Sequence, residues 1–382
     1  LKSLEFLGLG GNKLGSGEAN DLNFLRSLVN CTKLRFLDVS KNNLGGAIPN
    51  SIANLTTNLV TLTLSRNQIY GSIPPGIQNL LGLTTLYLNS NQLTGSIPPG
   101  IGLLQNMGIL ALSSNKLFGP IPSSFGNLTR LIQLYLFENN LTIPTSLGNL
   151  SSSLDSLDLS YNFLEGRIPS TLSQLTSLKY LGLDLNKLSG TFPASLYYIS
   201  SLEVFSIMDN QLHWSISFGI GFTLPNLWYF SVASNNFTGT IPSSFSNLSK
   251  LEISQLQDNN LVGSVPDNLG NLKSLERLYL GGNKLGSGEA DDLHFLTSLV
   301  NCTNLRGLIG SWNNFGEVLP SSIANLTTKL KLISFSRNQI YGSIPTGIQN
   351  LIGLTELALS SNRLTGSIPP SIGNLQNLEG LY

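Results

Sequence analysis

Leucine and polar positions alternate along this chain in a pattern that recurs from one end to the other. The segment Leu83–Pro98 reads LTTLYLNSNQLTGSIP, one instance of LxxLxLxxNxLxGxIP. Successive side chains of a strand point to opposite faces, so Leu86 and Leu88 point one way and Tyr87 the other. The pattern therefore predicts, in every repeat, a short strand with one face in a core and the other in solvent.

The asparagine of the pattern marks fifteen repeats, most of them 24 residues apart: Asn12, Asn42, Asn67, Asn91, Asn115, Asn139, Asn162, Asn186, Asn210, Asn235, Asn259, Asn283, Asn313, Asn338 and Asn362. A period of about 20–29 residues with this motif is typical of leucine-rich repeats. One repeat cannot bury its leucines alone, so neighbours stack around a shared core. We predict an α/β fold: a right-handed solenoid (horseshoe or superhelix) with a parallel sheet on its concave face.

The asparagines themselves are predicted to be structural. Each lies where the strand turns away, and its amide can satisfy main-chain groups that the turn leaves unpaired.

Domain organisation follows from the repeats. A solenoid grows by adding units, so we expect residues 1–382 to form a single domain of about fifteen repeats. Solenoids need capping repeats, and neither end of this sequence carries one. We therefore expect a fragment of a longer protein.

Repeats one and twelve share a six-residue insertion, GNKLGSGEANDLNFLRSLVNC at 11–31 and GNKLGSGEADDLHFLTSLVNC at 282–302. Leu22, Leu25 and Leu28 are spaced three apart behind Asp21, which predicts a short helix with an acidic first turn. Residues 272–382 duplicate residues 1–111 at an offset of 271. A tandem duplication and a fusion of two neighbouring genes both explain this copy.

Composition argues against several functions. Lys plus Arg and Asp plus Glu are 21 each, so no basic field exists for nucleic acid or an anionic membrane. No apolar run reaches the roughly 18 residues that span a bilayer. Cys31 and Cys302 occupy equivalent positions and are predicted to be small buried hydrophobic residues. No catalytic, cofactor or metal signature accompanies the histidines His213 and His294, so we expect no enzyme activity from this chain.

The second half of the motif is clearest at Leu93–Pro98, Leu117–Pro122 and Leu364–Pro369. This LxGxIP extension resembles the plant-specific class of leucine-rich repeats. Together with GSGEANDLNFLRSLVNCTKL, LYYISSLEVFSI and FTLPNLWYFSVASNNFTGTIP, it resembles the ectodomains of plant receptor-like kinases, in the immune-receptor subfamily of the rice Xa-type and elongation-factor-peptide receptors. The resemblance implies recognition of an extracellular peptide or protein together with a co-receptor kinase, with any kinase domain and membrane anchor outside this chain.

Several repeats depart from the pattern. Repeat six shortens to LTIP at 141–144, and repeat nine has Trp214 and Ser217 in place of glycine and proline. Ser254 and Gly310 replace core leucines, which is expected to weaken packing locally. These lapses favour either a bend or a decaying repeat.

The concave face is the candidate binding surface, because the side chains at its variable positions are not needed to fill the core. Repeats two to five offer small or polar residues there. Repeats six to twelve place aromatic side chains beside carboxylates, a combination suited to a peptide that carries Lys or Arg. The candidate ligand-binding residues are Tyr135, Phe137, Asp158, Tyr180, Asp184, Met208, Asp209, Trp228, Tyr229, Asp258 and Tyr279.

Nine N-x-[ST] sequons favour a secreted protein or an ectodomain. They begin at Asn30, Asn54, Asn127, Asn140, Asn149, Asn236, Asn247, Asn301 and Asn325. Some arise automatically from the NLT and NLS letters of the repeat, so we expect only some to be glycosylated.

The sequence thus predicts the extracellular ligand-recognition region of a plant receptor-like kinase in immune or developmental signalling. Two alternatives remain open. One is a leucine-rich repeat protein without a kinase, similar to polygalacturonase-inhibiting proteins or receptor-like proteins, and the other is a passive scaffold or degraded gene copy.

Overall fold

The computed structural model describes residues 1–142 and 149–382, in two compact units, Leu1–Leu188 and Ser189–Tyr382. The shortened motif of repeat six lies partly outside the described residues, at 143 and 144. Within each unit the repeats are stacked parallel strands connected by 3₁₀ turns, the arrangement of a leucine-rich repeat solenoid. That the whole chain is one uninterrupted domain stays a prediction.

Each repeat contributes one short strand to a main parallel sheet. In the first unit the described strands are Phe6–Gly8, Phe36–Asp38, Thr61–Thr63, Thr85–Tyr87, Ile109–Ala111, Gln133–Tyr135, Ser156–Asp158 and Tyr180–Gly182. In the second unit they are Val204–Ser206, Tyr229–Ser231, Ile253–Gln255, Arg277–Tyr279, Gly307–Ile309, Leu332–Ser334, Glu356–Ala358 and Gly380–Leu381.

The side chain of the middle residue of each strand points into the core. Leu37, Leu62, Leu86, Leu110 and Leu134 stand in register, and every one of them is fully buried. Burying such a leucine contributes about 1.5–3 kcal/mol relative to leaving it exposed. The alternation read from the sequence is therefore confirmed, and the first and third residues of each strand face outward.

The LxGxIP halves form a second set of short parallel strands. In the first unit these are Tyr70–Ser72, Gln92–Gly95, Lys116–Pro120, Asn140–Thr142 and Glu165–Gly166. In the second they are Gln211–His213, Val262–Gly263, Lys284–Leu285, Tyr341–Gly342 and Arg363–Leu364. The strand Lys187–Thr191 contains the point where the two units divide.

One-turn 3₁₀ helices close the repeats, and most begin directly after the proline of the motif. They span Leu28–Asn30, Asn50–Asn54, Pro75–Asn79, Pro99–Leu103, Ser123–Asn127 and Ser170–Gln174 in the first unit. In the second they span Ala194–Tyr198, Ser243–Asn247, Leu269–Asn271, Ser321–Asn325, Thr346–Asn350 and Pro370–Asn374. The helix Ile220–Thr223 takes this place in repeat nine.

The motif asparagines form a ladder of side-chain to main-chain hydrogen bonds. The amide of Asn91 donates to the carbonyls of Leu64, Leu88 and Asn89 at 3.0, 3.1 and 3.4 Å, and its oxygen accepts the Ile69 N–H at 3.0 Å. In the second unit Asn283 repeats this pattern. Each amide thus connects its own turn to the preceding repeat, which confirms the structural role predicted for these residues.

The residue before each ladder asparagine adopts a left-handed conformation. Glycine occupies this position at Gly11 and Gly282, with φ of 74° and 64°, but Leu185 and Trp312 adopt φ of 49° and 57°. A left-handed residue with a bulky side chain is uncommon and costs roughly 1–2 kcal/mol. The neighbouring hydrogen bonds must therefore hold the turn in place.

The two insertions fold alike, as short helices at Phe24–Ser27 and Phe295–Leu299. The expectation of an acidic first turn was wrong, because neither helix has an acidic residue there. Asp21 lies before the helix and accepts the main-chain N–H groups of Ser16, Gly17, Glu18 and Gly45 at 2.9–3.1 Å. Hydrogen bonds to a carboxylate favour its charged form, and the bond from Gly45 is the largest cause that lowers the pKa of Asp21.

Gly310 and Ser254, which replace core leucines, differ in how well the core packs around them. At Gly310, a Cβ atom would lie 2.5 Å from Phe335 Cε1 and 3.2 Å from Phe315 Cε2, so two phenylalanine rings occupy the space of the missing leucine. Ser254 is fully buried, and its hydroxyl makes no hydrogen bond to the described residues. Packing is therefore restored at Gly310, whereas Ser254 leaves a polar group unsatisfied.

Both cysteines are buried free thiols, as the sequence predicts. Burial raises the pKa of Cys302 to about 11. Among the described residues, no helix is long and apolar enough to cross a membrane.

Candidate functional site

The outward face of the main sheet carries two rows of side chains. In the first unit the third strand positions stand in register as Tyr87, Ala111, Tyr135, Asp158 and Gly182. The first positions form a parallel row that includes Gln133, Ser156 and Tyr180. The candidate residues of this unit, Tyr135, Phe137, Asp158, Tyr180 and Asp184, are called the first patch below.

Asp158 is the centre of the first patch. It stands next to Tyr135 in register, and the Tyr180 hydroxyl donates to its Oδ2 at 3.4 Å. Its Oδ1 accepts the Ser160 N–H at 3.0 Å. Burial raises the pKa of Asp158, although the hydrogen bonds from Ser160 and Tyr180 act in the opposite direction. Within the described residues no lysine or arginine forms an ion pair with this carboxylate.

Tyr135 is also half-buried, and its environment extends the polar cluster. Burial raises the pKa of the Tyr135 hydroxyl, while a hydrogen bond with Ser156 lowers it. The Ser156 hydroxyl in turn donates to Asp155 Oδ1 at 2.8 Å. The structure therefore brings Tyr135, Asp158 and Tyr180 together with serine partners.

Phe137 and Asp184 lie one position beyond the buried leucines Leu136 and Leu183, at the edge of the sheet. Both are half-buried. The Asp184 N–H donates to the Ser160 hydroxyl at 3.2 Å, so the turn that holds Asp158 also supports Asp184. These two residues border the Asp158 cluster.

In the second unit the candidates Met208, Asp209, Trp228, Tyr229, Asp258 and Tyr279 are called the second patch. The Tyr229 hydroxyl donates to Gln255 Oε1 at 2.8 Å, and Gln255 stands next to Tyr279 in register. The Tyr279 ring covers Gly307, where a Cβ atom would lie 3.2 Å from Tyr279 Cε1. Tyr229, Gln255 and Tyr279 therefore form a connected surface.

Trp228 precedes its strand and is 37% exposed. Its ring packs edge-on against Tyr229 with centroids 5.9 Å apart. The main-chain N–H of Trp228 donates to the Glu203 carbonyl at 2.9 Å, and its main-chain carbonyl accepts the Glu252 N–H at 2.8 Å. These main-chain bonds connect Trp228 to both neighbouring repeats, and Lys250 and Glu252 line a shallow depression beside it.

Asp209 and Asp258 occupy the left-handed turn positions before their ladder asparagines, with φ of 57° and 55°. Burial and the charge of Asp209 both raise the pKa of Asp258. The two carboxylates are therefore close enough to repel each other. Met208 lies directly before Asp209 and is half-buried, and its carbonyl accepts the Asn210 amide at 3.1 Å.

Sequence reasoning missed the polar partners of the aromatic residues. Ser156, Ser160 and Gln255 supply hydrogen bonds that orient the candidate side chains. The sequence pattern Asp-x-Ser could have predicted one of them, Ser160. The sequence Asp38-Val39-Ser40 places the Ser40 N–H 2.8 Å from Asp38 Oδ1, just as Asp158-Leu159-Ser160 does.

All nine sequon asparagines are exposed. Asn30, Asn54, Asn127, Asn247 and Asn325 each end a 3₁₀ turn, whereas Asn140 begins a second strand. None lies on a main-sheet strand, so the outward rows carry no sequon.

Comparison with known families agrees with this architecture. Residues 77–262 match the profile of a leucine-rich repeat region, and residues 33–55, 58–80, 329–351 and 353–375 match single leucine-rich repeats. A leucine-rich repeat protein of Leptospira interrogans is 30% identical, with a TM-score of 0.71, over 92% of this chain and 86% of that one. The chain belongs to the leucine-rich repeat family.

Its sequence relatives are plant receptor kinases. A putative receptor-like protein kinase of Arabidopsis thaliana is 53% identical over 83 residues, 22% of this chain and 8% of that protein. The receptor kinase-like protein Xa21 of Oryza sativa subsp. japonica is 48% identical over 65 residues, 17% of this chain and 6% of that protein. The matched stretches thus cover less than a tenth of these relatives, and the predicted resemblance to receptor kinase ectodomains is confirmed.

Structural similarity covers nearly the whole chain. The Arabidopsis receptor kinase HAESA, solved in complex with the peptide hormone IDA and the co-receptor SERK1, is 31% identical with a TM-score of 0.86. The alignment covers 98% of this chain and 65% of that one. The chain is therefore similar to receptor ectodomains and not to catalytic domains.

Proposed function

We propose that this chain is the ligand-recognition region of a plant receptor-like kinase and binds a peptide or protein on the outward face of its main sheet. The fold, the receptor kinase relatives and the similarity to a hormone-bound ectodomain support this proposal. A co-receptor kinase would then recognise the ligand and the repeats together. The kinase domain and membrane anchor would lie in other parts of the full protein.

The observation that carries the proposal is the environment of Asp158. A half-buried carboxylate without a cationic partner is costly to keep ionised, and a ligand cation would remove that cost. Tyr135 and Tyr180 flank it with aromatic surface, and buried aromatic residues dominate the energetics of many interfaces. We therefore assign to the first patch the recognition of a lysine or arginine side chain of the ligand.

The experiment is a selection of peptides from a random display library with the full chain, secreted from plant cells. Selected peptides should contain Lys or Arg, and replacing that residue by Gln should weaken binding. Asp158→Asn should reduce affinity for the basic peptides about tenfold or more, because the isosteric amide carries no charge.

Asp38→Asn is the matched control. Asp38 occupies the equivalent strand position and makes the same main-chain hydrogen bond, but Gly8 takes the place of Tyr135 in register with it, and Thr61 takes the place of Tyr180 on the next strand. The control should bind as the wild type does. If Asp158→Asn also binds the basic peptides unchanged, the proposed site is wrong.

Extracellular exposure is part of the same proposal and rests on the nine exposed sequons and the receptor relatives. Enzymatic removal of N-glycans from the secreted chain should lower its mass, and peptide mapping should find glycans at several of the nine asparagines. An unglycosylated chain after secretion through plant cells would argue against this localisation.

A further inference from the structure

The first insertion borders a half-open cavity that the proposed receptor function does not use. It measures about 440 Å³ and lies between the insertion, the second strand Tyr70–Ser72 and the prolines of two motif turns. No main-sheet strand contributes to its lining. A volume of roughly 300–1,000 Å³ is typical of sites for small organic molecules.

The walls of this cavity are fixed by close main-chain packing. Gly45 lies so near the insertion that a Cβ atom would come within 2.1 Å of the Gly17 main chain, and at Gly46 a Cβ would lie 2.5 Å from the Ala19 carbonyl. Asp21 accepts the Gly45 N–H at 2.9 Å, and the Gly46 carbonyl accepts the Tyr70 N–H at 3.1 Å. The cavity is therefore formed before any ligand arrives.

Its exposed lining is more polar than apolar and carries a single cationic group. Asn20, Asn23, Asn50 and Ser72 supply polar groups, Ala47 and the prolines supply apolar surface, and Arg26 supplies a guanidinium. Within the part of the chain that the structure describes, Arg26 forms no ion pair. A planar guanidinium binds a carboxylate through two parallel hydrogen bonds.

We propose that this cavity binds a small organic carboxylate, whose charge pairs with Arg26. Tyr70 and Asn50 at the lining offer further hydrogen-bonding groups. The carboxylate belongs either to a free small acid or to the C-terminus of a peptide. The inference is independent of the peptide site proposed at Asp158.

The duplicated segment provides an internal comparison. At the positions equivalent to Arg26 and Ala47, the second copy has Thr297 and Val318. The equivalent of Asn23 is His294, whose Nδ1 lies 3.3 Å from Asp267 Oδ2. The second copy therefore lacks the arginine and has a bulkier residue at the cavity wall. Thr297 and Val318 also show that the same backbone accommodates these side chains at the positions of Arg26 and Ala47.

The test is calorimetric titration of the full chain with benzoate, cyclohexanecarboxylate, 3-phenylpropanoate and N-acetylphenylalanine, each compared with its neutral amide. We expect at least one acid to bind saturably and its amide to bind at least tenfold more weakly. Binding of N-acetylphenylalanine alone would indicate a peptide C-terminus, and binding of the other acids would indicate a free small molecule.

Two variants taken from the second copy locate the site. Arg26→Thr should weaken acid binding tenfold or more by removing the charge, and Ala47→Val should weaken it by reducing the volume. Lys116→Thr, which removes an exposed cation elsewhere in the first unit, should leave binding unchanged. Melting curves of each variant check that it is folded.

The proposal is overturned if none of the four acids binds, or if Arg26→Thr and Ala47→Val bind like the wild type. It is also overturned if Lys116→Thr weakens binding as much as Arg26→Thr, since the acids would then respond only to overall charge.

Discussion

Asp158 illustrates how one residue can belong to the outward face and still be poorly solvated. The strand directs its side chain away from the leucine core, but Tyr135 stands beside it and the Tyr180 hydroxyl reaches it from the next strand. Burial removes water from the carboxylate, which favours the protonated form. The raised pKa is therefore a consequence of burial in a solvent-facing row, and the hydrogen bonds from Ser160 and Tyr180 oppose it.

A pH dependence of stability follows from this environment. Because the pKa of Asp158 is raised in the folded state, its protonated form contributes stability below the unfolded pKa of about 3.9, and this contribution is lost as the pH rises through the folded pKa. Asp158→Asn should therefore increase the melting temperature at neutral pH more than at pH 3. Calorimetric melts at both pH values measure this difference.

Tyr180→Phe serves as the companion variant for that prediction. The Tyr180 hydroxyl lowers the pKa of Asp158, so its removal should shift the loss of stability to higher pH. An equal gain from Asp158→Asn at both pH values would contradict the assigned environment.

The ladder asparagines predict a large effect of a single buried amide. Asn283 donates to the carbonyls of Leu256, Leu280 and Gly281 at 2.9–3.2 Å, and its oxygen accepts the Leu261 N–H at 3.0 Å. Asn283→Ala leaves these buried groups unpaired and should reduce the free energy of unfolding by about 3 kcal/mol. Urea denaturation should show this loss, while Lys284→Ala at the adjacent exposed side chain should change stability little. Equal stability of the two variants would refute the structural role.

At this scale the sequence predicts the ladder well, because one amide type recurs at one position. It predicts Gly310 poorly, since the missing leucine is replaced by Phe315 and Phe335, which come from elsewhere in the sequence. The polar partners of the candidate site cannot be predicted from the sequence for the same reason. The register of neighbouring strands, which places Ser156 and Gln255 beside their tyrosines, becomes visible only when repeats are stacked.

Among the elements, the insertion of repeat one shows how a loop is fastened to a solenoid. Periodicity correctly predicts a short helix, but leucine spacing alone places Asp21 in its first turn, which is wrong. In the structure the carboxylate instead accepts hydrogen bonds from main-chain N–H groups of its own loop and of Gly45 in the next repeat. Glycine is required there because the two main chains approach more closely than any Cβ would allow.

Gly45→Ala tests this close approach. The added methyl group would lie 2.1 Å from main-chain atoms of Gly17, so the insertion must move away and lose the Asp21 hydrogen bond. We expect a loss of about 2 kcal/mol in stability, measured by denaturant unfolding. Gly373→Ala is the control, because no atom lies within 4 Å of a Cβ at that position. A neutral effect of Gly45→Ala would show that the loop is not held against the repeat.

At the scale of the whole molecule, the internal copy is the feature that needs a physical account. Asp292 repeats the role of Asp21 by accepting the N–H groups of Ser287, Gly288 and Gly316 at 2.8–3.0 Å. The copies differ where Gly46 is matched by Glu317, which accepts the Leu293 N–H at 2.8 Å. We propose that residues 272–382 arose as a copy of 1–111, and the equivalent loops support this origin.

In a repeat protein, stability is approximately a sum of terms from each repeat and its neighbours. Asp21→Ala and Asp292→Ala should therefore each act locally. We expect amide hydrogen exchange to accelerate roughly tenfold or more at Gly17, Glu18 and Gly45 in the first variant, because these amides lose the Asp21 carboxylate as acceptor.

The second variant should accelerate exchange at Ser287, Gly288 and Gly316 and leave the first loop unchanged. Hydrogen-exchange mass spectrometry of the intact chain resolves both loops in one experiment, and the double variant should show the sum of the two effects because neither loop shares a partner with the other. Exchange that accelerates throughout the chain in either single variant would mean that the aspartate stabilises more than its own repeat and neighbours. The nearest-neighbour description of this solenoid would then be wrong.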